Sequence, residues 1–237
     1  MKYLKKIFFV LIILKFFKIN KRLSFEDLNF KLIDFNNYQQ IKSFIFKKKF
    51  FKLKNKYVQS FDFLNFSKKL GGKIGINLSK NTIFEWYNIN RNKVNFPWSD
   101  DLTSKRLINI IYNYEFINSS STKNENVKLL KIVNIHMYRV IFDFKNKNIG
   151  ELTSYDFIAY LLSFFILENK NNHDLNHLIS IIDYQIDNFG MHKSYNLIEH
   201  SRFINNLNQA KNIFLFFNHD IPKKIDDTII KMNSTLN

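Results

Sequence analysis

Six histidines and no cysteine decide where this chain of 237 residues can do chemistry. Disulfides, thiolate nucleophiles, iron–sulfur clusters and Cys-ligated zinc are excluded, so a metal would need His and carboxylates alone. His173 and His177 stand at i, i+4, a spacing that sets two imidazoles on one helix face as a zinc site requires. No Glu follows His173, however, and the run NKNNHDLNHL reads as an Asn-rich turn with His173 outside the helix. Neither a metal nor another cofactor is expected. A denser collection surrounds GMHKSYNLIEH, where Gln185, His192, Ser194, Tyr195, Asn196 and His200 gather polar and titratable groups at one end of a helix hairpin. All-helical folds place ligand clefts at such ends. The same stretch also reads as a helix stop, with Gly190 as the C′ glycine before a surface turn.

Both tryptophans fall in FEWYNINRNKVNFPWSDDLTSKRLINIIYNY. Trp86 and Trp98 are either large core residues closing a helix hairpin or an aromatic floor for a sugar ring. Arg106 lies one turn into the helix that Ser99 or Asp100 starts, and its fork suits a carboxylate or sulfate, or braces Asp100 or Asp101. Nearer the start, Lys47, Lys48, Lys49, Lys52, Lys54 and Lys56 interleave with Phe46, Phe50 and Phe51. Basic and aromatic residues mixed in this way bind single-stranded nucleic acid by phosphate contact and stacking. They equally make a helix with Phe inside and Lys outside, and no glycine–aromatic RNA-binding signature accompanies them.

The elements that must position these groups are helical. Only 5 Gly and 2 Pro occur, too few for Gly-rich phosphate loops or a turn-dense β-sandwich. With 46% hydrophobic residues the chain can bury a sizeable core. Lys and Arg number 36 against 20 Asp and Glu, a formal charge of +16. That charge attracts polyanions such as nucleic acid, an acidic membrane or an acidic polysaccharide. It also follows from a composition dominated by Asn, Lys, Ile and Phe, whose codons can all be written in A and T. Residues 1–23 carry a basic start and a short apolar run, the pattern of a signal or anchor without a small-residue cleavage site. Membrane association through residues 1–20 is one expectation for them. Residues 24–75 read as irregular, with Gly71, Gly72 and Gly75 as a loop leading to a helical body over 76–237. Apolar periodicity predicts helices starting near Ser79 and ending before Pro97, then from Ser99 or Asp100, over 127–144, 153–167, 175–186 and 196–217, and after Pro222. Short polar turns between such helices imply antiparallel hairpins.

The run through Trp86, Asn90, Arg91, Pro97, Trp98, Asp101, Leu102, Arg106, Asn109 and Tyr114 resembles the helical region of bacterial heparinase II/III family proteins. The later block, FIAYLLSFF followed by Gln185, Gly190, Met191, His192 and Asn196, resembles that family's paired helices and turn. The resemblance covers about 79–232. It implies an all-α, incomplete α/α toroid of antiparallel helical hairpins, which in full-length relatives precedes a β-sandwich and cleaves uronate polysaccharides by β-elimination. A cationic or amide group neutralises the uronate carboxylate, a base takes the C5 proton and an acid protonates the leaving glycosidic oxygen.

By that resemblance Tyr195, His192 and His200 are the catalytic candidates, and Trp86, Trp98, Arg106, Gln185 and Asn196 the substrate-binding ones. The sequence departs from the family where Phe189, not Asp, precedes Gly190, and where Glu199 and His200 stand in place of Tyr and His. No Asn-His pair stands near Ile149 and Gly150. Tyr195 is the candidate to replace the missing tyrosine, with His192 on the same turn to steer or deprotonate it. The expected partners are an acidic polysaccharide and a separate β-sandwich domain or chain, since the chain stops at Asn237. The expected compartment is the periplasm or cell envelope, with the cytoplasm as alternative. The competing expectation is a non-enzymatic basic helical protein that binds nucleic acid or a membrane surface.

Overall fold

The computed structural model describes residues 56–93, 96–167 and 172–235. The expectations for residues 1–23, and for the Lys-Phe cluster as far as Lys54, lie outside them. The described residues hold ten α-helices, one short 3-10 turn and no strand, so this part of the protein is all-α. They fall into two compact units, Met1–Arg139 and Val140–Asn237.

The first unit is built from α1 (Lys56–Gln59), α2 (Phe63–Leu70), α3 (Gly72–Asn90), α4 (Asp100–Tyr112), α5 (Tyr114–Asn118) and the front of α6 (Lys123–Asn146). The glycine cluster is not a loop here. Gly72 opens α3 and Gly75 lies inside it, because α2 and α3 touch at that point. A Cβ on Gly75 would stand 2.2 Å from the Ser67 carbonyl oxygen, so only glycine permits the approach. Helix α3 therefore begins a full two turns before Ser79. Phe61, Phe63, Leu64, Ile83, Trp86 and Leu107 fill the core. Each such side chain contributes about 1.5–3 kcal/mol by leaving water.

The second unit holds the end of α6, the 3-10 turn Ile149–Glu151, α7 (Ser154–Ile166), α8 (Asn172–Gln185), α9 (Leu197–Phe216) and α10 (Lys223–Ser234). Helix α7 starts as the sequence predicts, at a capping box. Asp156 N–H donates to Thr153 Oγ1, and Thr153 N–H donates to Asp156 Oδ2 at 2.9 Å. Lys147 Nζ reaches the same carboxylate at 2.9 Å. From Asp156 to Ile166 the helix is buried all round, which fits its continuous apolar run. Helix α9 packs on α7 and α10, and Phe165 meets Phe214 edge-on and Phe217 face-on. Helix α8 begins at Asn172, so His173 lies within it rather than in the turn before it. No helix among the described residues is long and apolar enough to cross a membrane.

Candidate functional site

Helix α8 ends at Gln185, and the chain at once reverses in a small hairpin that leads into α9. Lys193 N–H donates to Gln185 O at 2.8 Å, Ile186 and His192 form an antiparallel bridge, and Asp187 N–H donates to Met191 O at 2.9 Å. Asp187 makes the turn. Its Oδ1 accepts the N–H groups of Phe189 at 2.9 Å and Met191 at 2.8 Å, the local bonding that favours Asp in turns. Partial desolvation pushes this carboxyl up, but those N–H groups, the Tyr195 side chain and the Gly190 N–H together hold it below its ordinary value.

Gly190 is not the C′ residue of a helix, since α8 has ended at Gln185. It occupies the hairpin turn with φ 91. The backbone needs glycine for a second reason, because a Cβ would stand 2.8 Å from both Lys231 Cγ and Lys231 O on α10. Thr235 Oγ1 completes the seam by donating to Phe189 O at 3.0 Å.

Beyond the turn, Tyr195 adopts φ 51 and is 71% exposed. Asn196 is the N-cap of α9, its Oδ1 accepting from Ile198 N–H at 2.8 Å and Glu199 N–H at 3.3 Å. Its acceptor is thereby committed to the helix end. Gln185 is committed too, with Nε2 donating to Leu152 O at 3.0 Å.

The two histidines of the hairpin differ in kind. His200 is fully buried. Its Nδ1 accepts the His192 N–H at 3.2 Å and its Nε2–H donates to Met232 O at 3.0 Å, so it ties the hairpin and α9 to α10 and keeps neither nitrogen for a substrate. His192 is half-buried against Phe203. Its Nδ1 accepts the Ser194 N–H at 3.2 Å, which fixes the Nε2–H tautomer of the neutral ring. Burial lowers its pKa; Glu199 opposes the shift and His200 adds to it. The neutral ring therefore offers a donor at Nε2 rather than a lone pair, which suits an anion or a sugar hydroxyl better than proton abstraction.

Trp86, Trp98 and Arg106 belong to the first unit and are almost wholly buried. No indole face is open to a sugar. Of the two readings the sequence left, the structure selects core residues. Trp86 Nε1–H donates to Gln59 Oε1 at 2.7 Å and Trp98 Nε1–H to Asn90 O at 2.6 Å. The Arg106 guanidinium lies over Trp86 at 4.1 Å and Trp98 at 5.1 Å. Its fork donates to Gln59 O at 2.6 Å, His136 Nε2 at 3.1 Å and Thr103 Oγ1 at 3.4 Å, while Asp101 pairs with Lys105 instead. Burial pushes the Arg106 pKa well down, Arg139 adds to this and Asp101 opposes it. His136, buried beside it, is pushed well down by burial and then by Arg106, and its Nδ1–H donates to Ile132 O at 2.8 Å.

Residues that sequence reasoning passed over complete the hairpin end. Tyr184 is 49% exposed, with the Lys193 ammonium 4.9 Å from its ring centroid. Phe189 stands 83% exposed at the turn. The only local signal for this arrangement is the spacing of Asp187 and Gly190, which marks a turn and so brings residues nine apart together. No group of three His, Asp or Glu among the described residues can hold a metal ion. Comparison with family models, with curated proteins and with solved structures returns no match to this chain.

Proposed function

We propose that this protein is a heparinase II/III-like chain, with its helical hairpins arranged as an incomplete α/α toroid, that binds or acts on a uronate-containing polysaccharide of the bacterial periplasm or cell envelope. The observation that carries the reading is the hairpin between α8 and α9, where the His192 donor, the Lys193 ammonium and the exposed Tyr195 phenol lie within four residues on one rigid turn. Together they supply two groups that neutralise a uronate carboxylate and one that exchanges a proton. The reaction is β-elimination: the C5 proton is removed, the bond from C4 to the glycosidic oxygen breaks, and that oxygen is protonated. A β-sandwich domain or chain would supply the remaining group.

The test combines this chain with any such partner and follows the unsaturated uronate product by its ultraviolet absorbance on alginate and polygalacturonate. Tyr195→Phe abolishes turnover if the phenol exchanges the proton. Unchanged turnover overturns that role, and chain cleavage without the unsaturated product would overturn elimination as the reaction.

One observation favours the second reading, a non-enzymatic basic protein on an anionic surface. Phe189, Leu197 and Ile198 are all well exposed around the same hairpin, and the chain carries +16. Binding to anionic vesicles that falls steeply with salt, without preference for uronates, would support it over the lyase reading.

A further inference from the structure

We infer that Tyr184 and Lys193 form a subsite for a single acidic sugar residue, the ring taking the sugar's C–H face and the ammonium its carboxylate. This rests on the reading that the chain handles uronate polymers, and names the residues that would select the acid. Tyr184 is half exposed and passes close to the turn after α6. Its hydroxyl lies so close to the backbone of Gly150 that a Cβ there would come within 2.5 Å, so a side chain at 150 would push the ring from this position. Lys193 is set by the hairpin through its backbone N–H on Gln185 O, and its ammonium sits 4.9 Å from the Tyr184 centroid.

The nearby acids do not compete for that ammonium. Asp183 pairs with Lys224, and Asp187 is occupied by the N–H groups of its own turn. Lys193 makes no ion pair among the described residues. An ammonium resting on a π face keeps its N–H donors, and a carboxylate arriving beside the ring converts a cation–π contact into a charge-assisted hydrogen bond. A neutral sugar gains only the ring, and a polyanion without sugar rings gains only the charge. The pair therefore reads both features together.

The test measures affinity of the full chain for polygalacturonate, alginate, methyl-esterified polygalacturonate, dextran and inorganic polyphosphate at low salt. Binding to an acid polymer with loss on esterification is expected. Lys193→Ala should weaken it about fivefold, the upper end for one exposed ion pair. Tyr184→Leu should weaken it at least as much, while Tyr184→Phe retains it. Lys223→Ala, which removes one exposed charge on α10, is the matched control and should change nothing. Lys193→Gln repeats the first variant on an exposed side chain, and thermal unfolding checks that each variant is folded. If the protein binds an acid polymer and neither Lys193 nor Tyr184 variants differ from it, the subsite is refuted while the functional reading stands. Equal losses from Lys193→Ala and Lys223→Ala, or equal affinity for polyphosphate, refute it in favour of diffuse charge. Failure to bind either uronate polymer refutes the functional reading itself.

Discussion

Gly190→Ala tests the hairpin most directly, because two independent costs fall on one methyl group. The first is conformational: at φ 91 an L-residue pays about 1–2 kcal/mol for the left-handed side of backbone space. The second is steric. The new Cβ would stand 2.8 Å from Lys231 O, and a backbone oxygen cannot swing aside as a side-chain tip can. Forcing the hairpin off α10 adds about 1–3 kcal/mol, the usual range for overpacking. The sum, about 2–5 kcal/mol, is a large part of ordinary domain stability. For a chain of this size each kcal/mol lowers Tm by about 2–4 °C. Gly72→Ala separates the two costs, since Gly72 also has positive φ, 53, but a Cβ there meets nothing within 4 Å. The assay is urea unfolding followed by far-UV circular dichroism, because both tryptophans lie in the first unit and report on it. Gly190→Ala should cost clearly more than Gly72→Ala and should weaken binding at the hairpin. Equal costs for the two variants would refute the steric argument, and no cost at either would refute both.

Two further outcomes concern the buried cation of the first unit. Arg106→Ala should destabilise by about 3–5 kcal/mol, because the Gln59 carbonyl and His136 Nε2 lose their donor inside the core, and Arg106→Lys should rescue little since an ammonium cannot span the same fork; tryptophan fluorescence in denaturant checks both. His136 has a folded pKa pushed well below 6.5, so its contribution to stability is complete above about pH 6.5 and is lost as pH falls below it, at no more than about 1.4 kcal/mol per pH unit. His192, lowered first by burial, acts with the same sign. Unfolding midpoints at descending pH should therefore fall, and His136→Gln should flatten the slope; a variant with the wild-type slope would exclude His136 as its source.

The helices were legible where the information is local. Thr153 with Asp156 three residues on marks the start of α7 and Asn196 caps α9, since these bonds involve neighbours in sequence. The first unit was the less legible, because Gly71 to Gly75 carries the composition of a loop. Only the contact with Ser67 on α2 explains a glycine within α3. Gly190 misled in the same way, as its partner is Lys231, forty-one residues later.

The candidate site divides along the same line. Residue types and spacing alone determined that the described body is helical, that the chain is basic and without thiol chemistry, and that histidine, tyrosine and amide groups crowd the stretch from Gln185 to His200. Only the tertiary structure decided which of them face water. It closed Trp86, Trp98, Arg106 and His200 inside, committed Gln185 and Asn196 to backbone partners, left Tyr195 exposed and His192 half-buried, and set Lys193 against Tyr184. The reason is physical: helix periodicity depends on residues within a turn or two of one another, whereas burial and hydrogen-bond satisfaction depend on which distant segment arrives to cover them.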